Sequence, residues 1–156
     1  MLYTVTESIE KLKKYCAYQE RSQSEVRRKL GENGIKGEDA EFVISELITE
    51  GFLNEERFAR AFARGKFRVN KWGRRKIEAA LKQKGVSPFC IRQGMSEIKD
   101  AEYESTIRSL FQKLKGTKTL KSRAELARIV NSLRAKGFET SLIMKIAGSG
   151  EDDMAD

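Results

Sequence analysis

The chain has no histidine, a single proline and only two cysteines in 156 residues. Without histidine there is no Ser-His or Cys-His nucleophile pair, and without a CxxC motif the usual transition-metal ligand sets are missing as well. The sequence also lacks a GxxxxGK[ST] loop to cradle a nucleotide phosphate. These gaps argue against an enzyme and against any cofactor. Cys16 and Cys90 each fall in an apolar helical pattern, so both are expected as buried, reduced thiols. No run approaches the roughly 18 uncharged apolar residues of a membrane helix, and the N-terminal MLYTVTESIEKLKK lacks the apolar core of a signal peptide. The expectation is a cytoplasmic protein with no membrane partner.

What the sequence has in quantity is charge, and it is unevenly placed. Charged residues make up 35% of the chain, against roughly 25% in an average soluble domain. Between Arg57 and Lys84 stand eleven Lys or Arg and one acid, Glu78. That segment carries +10 in a chain of net charge +8, so everything else sums to −2. The positive field therefore has one source along the sequence.

The basic segment reads as two amphipathic helices. Asn54 is an N-cap residue followed by Glu55 and Glu56, carboxylates suited to the positive end of a helix dipole. Phe58, Phe62 and Val69, with Ala59, Ala63 and Lys66 beside them, mark an apolar stripe. Arg57, Arg60, Arg64, Arg68 and Lys71 form a second, cationic stripe. A break at Lys71-Trp72-Gly73 leads into a helix that opens on Arg74-Arg75-Lys76, buries Ile77, Ala80 and Leu81, and closes with Lys82, Lys84 and Gly85. Cations at a helix start are disfavoured by roughly 0.3–1 kcal/mol each, which points to an anionic partner for them. Trp72 can stack on a base or plug a gap between helices, and plugging is the favoured reading.

The rest of the chain repeats the same plan. Helices are expected from Ser8 to Glu20, from the capping box Ser22-x-x-Glu25, and from Gly37 to Glu50, where Ala40, Val43, Ile44, Leu47 and Ile48 share a spacing. Val26, Leu30, Gly34 and Ile35 recur 51 residues on as Ile77, Leu81, Gly85 and Val86, and 52 residues further as Ile129, Leu133, Gly137 and Phe138. A Ser87-Pro88 start leads Phe89, Ile91, Met95 and Ile98. Tyr103, Ile107, Leu110 and Leu114 mark another helix, and Ser122-x-x-Glu125 a second capping box. The fold class read from this is all-α, three tandem three-helix repeats in an elongated, curved arrangement, with nearest-neighbour packing. The divisions are 1–53, 54–100 (the basic repeat) and 101–147, then an acidic tail over 148–156 that is expected to be disordered. A monomer is expected, because the repeats cover one another's apolar faces.

Residues 51 to 87, GFLNEERFARAFARGKF...GRRKIEAALKQKGVS, resemble the central signature of the RecX family of recombinase regulators. Arg21-Ser22 followed by Glu25-Val26-Arg27-Arg28-Lys29-Leu30 is similar to the family's R-S-x-x-E-L-R-x-K-L run. The resemblance covers roughly Tyr15 to Ala147. It implies tandem three-helix repeats that bind the RecA filament on DNA, lie along its groove and dampen recombinase activity, with no cofactor and no catalytic residue. The resulting candidate surface for filament or DNA phosphate is Arg57, Arg60, Arg64, Lys66, Arg68, Lys71, Trp72, Arg74, Arg75, Lys76, Lys82 and Lys84. The alternative is a helical module that binds DNA without sequence preference and without a recombinase partner, its affinity set by phosphate contacts.

Overall fold

A computed structural model describes residues 3–117, 119–120 and 122–155, with side chains described as far as residue 148. Among the described residues there are nine helices and no strand. In chain order they are α1 Val5–Tyr18, α2 Gln23–Glu32, α3 Gly37–Thr49, α4 Glu55–Arg68, α5 Arg74–Gln83, α6 Pro88–Met95, α7 Asp100–Lys115, α8 Arg123–Ala135 and α9 Thr140–Ala155.

The starts follow local chemistry. The side chains of Thr4, Ser22, Ser87 and Ser122 each accept a hydrogen bond from a backbone N–H three residues on, and Asn54 Oδ1 does the same for Arg57 at 2.8 Å. These bonds satisfy donors that a helix leaves orphaned at its first turn.

The ends explain the sequence repeat. Ile35, Val86 and Phe138 donate their N–H to the carbonyls of Leu30, Leu81 and Leu133 at 2.9, 3.1 and 3.1 Å. The glycine before each donates three residues back. Gly34, Gly85 and Gly137 have φ of 81°, 76° and 99°, the left-handed conformation that such a helix stop demands and that a Cβ would penalise. The recurring Val/Ile, Leu, Gly and apolar residues are thus a buried helix face, its stop, and the apolar residue that folds back beneath it. Val26, Leu30, Ile35, Ile77, Leu81, Leu133 and Phe138 are all 1% exposed or less.

The chain divides into two compact units. One comprises the residues up to Phe62 together with Ala80–Ser96; the other comprises Ala63–Ala79 and the residues from Glu97 onward. In the first, α1 and α2 pack on α3 around Leu12, Val26, Leu30, Val43, Ile44, Leu47 and Leu53. In the second, α7, α8 and α9 pack on one another, and Phe67, Tyr103 and Phe138 form a ladder of tilted rings with centroids 5.7 and 5.4 Å apart.

Several apolar assignments shift by a few residues. Val69 is 78% exposed, and Phe67 fills the place expected of it at 2%, because α4 stops at Arg68 and leaves Val69 in the following turn. Ile48, Phe89 and Leu114 are exposed, and α7 buries Tyr103, Ile107 and Phe111 rather than Leu110 and Leu114. Cys16 is buried, whereas Cys90 is only half-buried; both thiols are free. The backbone of α9 continues through Ala155 where the sequence suggests a disordered tail. Extending an existing helix needs no new nucleus. The side chains of 149–156 lie outside the described residues.

Candidate functional site

The arginine row of α4 is the most conspicuous charge feature of the sequence, and its side chains bond to other parts of the protein. Arg57 pairs with Glu20 and donates to the carbonyls of Gly51 (2.9 Å) and Phe52 (3.3 Å). Arg60 donates to Gln93 Oε1 at 2.8 Å. Arg64 meets Glu97 at 3.0 Å and Arg68 meets Glu102 at 3.2 Å. Beyond α4, Lys84 pairs with Glu25 at 2.9 Å. Exposed ion pairs of this kind contribute about 0–1 kcal/mol each. Their main effect is to cancel charge and fix side-chain direction.

Arg74, at the start of α5, is also committed. Its guanidinium bonds to Asp100 Oδ1 at 2.7 Å and to the Ile98 carbonyl at 3.3 Å, and it lies 4.1 Å from the centre of the Tyr103 ring. For this residue the anionic partner inferred from its unfavourable place on the helix dipole is internal. The first-turn amides of α5 are satisfied as well. Arg74 N–H donates to the Tyr103 hydroxyl at 3.0 Å, and Arg75 N–H to the Gly137 carbonyl at 3.1 Å. Just ahead of the helix, Gly73 N–H donates to the Lys136 carbonyl at 2.7 Å. The positive end of α5 thus sits on the negative end of α8, a favourable head-to-tail arrangement of dipoles.

This junction is unusually close. A Cβ on Gly73 would lie 2.2 Å from the Gly137 carbonyl carbon, and one on Gly137 would lie 2.4 Å from Lys76 Cβ. Two glycines facing each other let the backbones touch. Tyr103, fully buried, donates its hydroxyl to Glu139 while accepting from Arg74; burial, then the bond to Glu139, push its pKa well above the usual tyrosine range.

Other predicted residues gather around the same junction. Trp72 is half-buried, with the ammonium of Lys66 4.9 Å and that of Lys76 4.4 Å from its ring centre. Both distances are within cation–π range. Lys71 is exposed and takes a left-handed backbone, φ 56°. Arg75 and Lys76 are exposed and line an open recess of about 540 Å³ with Asn131, Arg134, Gly137 and Phe138. Among the described residues, no ion pair involves Lys71, Arg75, Lys76 or Arg134. Lys82 is exposed on the last turn of α5. Sequence reasoning did not bring Asn131 and Arg134 to this place, since they belong to a helix some sixty residues away.

No group of three or more His, Cys, Asp or Glu is placed to hold a metal among the described residues, and no described helix is long and apolar enough to cross a membrane.

Comparison with known proteins agrees with the repeat plan. Residues 10–47 match the family model described as RecX, first three-helix domain, and residues 54–95 match RecX, second three-helix domain. A curated relative from Prosthecochloris aestuarii, named regulatory protein RecX, is 33% identical over 131 residues, covering 83% of each chain. One of the same name from Lactobacillus gasseri is 31% identical over 129 residues, covering 82% of this chain and 48% of the relative. The chain spans about half the length of several curated relatives it matches. The crystal structure of RecX from Lactobacillus salivarius superposes with a TM-score of 0.82 over 93% of this chain and 95% of the other, a likeness of fold at 23% identity. With both domain models matched in order and a relative aligned over most of its own length, this chain belongs to the RecX family.

Proposed function

We propose that this chain is a regulator of the RecA recombinase: it binds in the groove of the RecA–DNA filament through its basic middle segment and lowers recombinase activity, so modulating recombination, DNA repair and the SOS response. It does so without chemistry of its own. Family membership supports the partner, and the concentration of +10 between Arg57 and Lys84 supports a polyanionic surface as the thing gripped. Repeated helical units offer several contact points to a filament, so that modest individual contacts gain through effective concentration.

Within the basic segment the proposed filament contacts are the exposed cations Lys71, Arg75 and Lys76, a choice supported by the engagement of Arg57, Arg64, Arg68, Arg74 and Lys84 with acids of the same chain. The test is ATP turnover and strand exchange by RecA on single-stranded DNA as this protein is titrated in at near-physiological salt. The expected result is inhibition, with tighter binding to coated than to bare DNA. Equal binding to both, with unchanged ATP turnover, would refute the regulatory reading and leave a DNA-binding helical module.

A further inference from the structure

We infer that the recess between α5 and α8 is a binding site for the phosphodiester backbone of a nucleic acid, built by Arg75, Lys76, Asn131 and Arg134. The inference rests on the regulatory reading for its biological setting and names which component of the filament this site takes.

The repeat supplies an internal control. Lys76 lies 51 residues after Glu25, and Lys136 lies 52 residues after Lys84, the same offsets that relate the repeats' core residues. The α2–α5 and α5–α8 junctions are therefore equivalent by repeat. At the first, Glu25 takes the ammonium of Lys84 at 2.9 Å, and the charge is cancelled. At the second, Glu25's counterpart is Lys76, and Arg75 and Arg134 stand beside it with no acid in the recess. The first junction accepts a carboxylate at this position; in the second, the Lys76 ammonium also lies 4.4 Å from the centre of the Trp72 ring.

Nothing on the floor of the junction repels an anion. The carbonyls of Lys136 and Gly137, which follow the last turn of α8, are already taken by the N–H groups of Gly73 and Arg75. The one nearby carboxylate on the chain leading into α9, Glu139, accepts from Tyr103. Three cations and a neutral amide around an open recess are suited to a phosphodiester, because Arg, Lys and Asn are common partners of backbone phosphate and no base-reading geometry is needed. An acidic peptide would meet the same charges, but its side chains need apolar cover that the exposed rim of Arg75, Lys76, Asn131 and Arg134 does not offer.

The test uses the full chain, fluorescently labelled single-stranded and duplex oligonucleotides of mixed sequence, and poly-glutamate as the competing acidic polymer, over a salt titration. Lys76→Glu copies the first junction, with Lys136 in the role of Lys84; it gives up the contact with the Trp72 ring but places an acid in the first turn of α5, and should melt within a few degrees of the parent. Combined with Arg75→Gln and Arg134→Gln, it should lower oligonucleotide affinity about hundredfold at 0.1 M salt and reduce the slope of log K against log salt by about 2–3. Asn131→Lys exchanges the amide contact for a charged one, which phosphate favours, and should raise both.

Unchanged oligonucleotide binding in the triple variant, or no gain from Asn131→Lys, overturns the assignment. So does tighter competition by poly-glutamate than by oligonucleotide. The two readings fail separately: inhibition of RecA by a triple variant that still binds DNA like the parent sinks the recess alone, whereas oligonucleotide binding that the triple variant loses, in a parent that leaves RecA activity unchanged, sinks the regulator alone.

Discussion

Replacing Gly73 by alanine tests the tightest contact in the protein. The backbone at Gly73 does not take a left-handed φ, so alanine meets no conformational objection there. By itself the change would stabilise by about 0.4–1 kcal/mol through the unfolded chain. Against this stands the added Cβ, 2.2 Å from the Gly137 carbonyl carbon where contacts normally begin near 3.4 Å, so α5 and α8 must part by about 1.2 Å. Neither neighbour is a flexible side-chain tip; both are backbone. Parting them lengthens the 2.7 Å bond from Gly73 to Lys136 and the 3.1 Å bond from Arg75 to Gly137 beyond useful range. Two hydrogen bonds at about 1 kcal/mol each, with the overpacking strain of about 1–3 kcal/mol, give a net loss of roughly 2–4 kcal/mol. Gly65→Ala is the matched control: it lies inside α4 with nothing within 4 Å of the new methyl, and it should stabilise by roughly 0.5–1 kcal/mol. Urea unfolding followed by the fluorescence of Trp72, the only tryptophan and one residue from the substitution, reads both. A Gly73→Ala protein at least as stable as the parent would refute the steric argument.

Tyr103→Phe removes the acceptor of the Arg74 N–H and the donor to Glu139; unfolding should show a loss of about 1–3 kcal/mol, and no loss would mean that water replaces the hydroxyl. Arg74→Gln should cost about 1–2 kcal/mol, because its guanidinium stacks on Tyr103 and bonds to Asp100, while Arg75→Gln should change stability by less than about 0.5 kcal/mol; the same denaturation series separates them. Burial pushes the Cys16 thiol up to about 11 and raises Cys90 as well, though Cys90 is less enclosed. At pH 8 a thiol reagent should therefore modify Cys90 well before Cys16, as mass spectrometry of digests would record. Since Cys16 favours its neutral form when folded, its contribution to stability is complete below about pH 9 and is lost as pH rises through about 11. Cys16→Ala should flatten that alkaline decline.

Much of this protein is legible along the chain because helix chemistry is local. Asn54, Ser22, Ser87 and Ser122 announce helix starts, since the cap bond closes within three residues. The glycines at 34, 85 and 137 announce stops, since only the left-handed turn lets Ile35, Val86 and Phe138 fold back under their leucines. Their even spacing carries the repeat. The same locality misleads at helix ends: Val69 fits the apolar period of α4 but falls one residue past its last turn, and Phe67 takes the core place.

Charge was legible as quantity but not as availability. The amino-acid order by itself set the number of cations, their confinement between Arg57 and Lys84, and the helical phase that lines up Arg57, Arg60, Arg64 and Arg68. Only the tertiary structure decided that Glu20, Glu97 and Glu102 meet that row, and that Arg75 and Lys76 are joined by Arg134 from a helix distant in sequence. The physical reason is that capping and periodicity act over a few residues of backbone, whereas an ion pair forms wherever folding brings two charges within about 4 Å, at any separation along the chain.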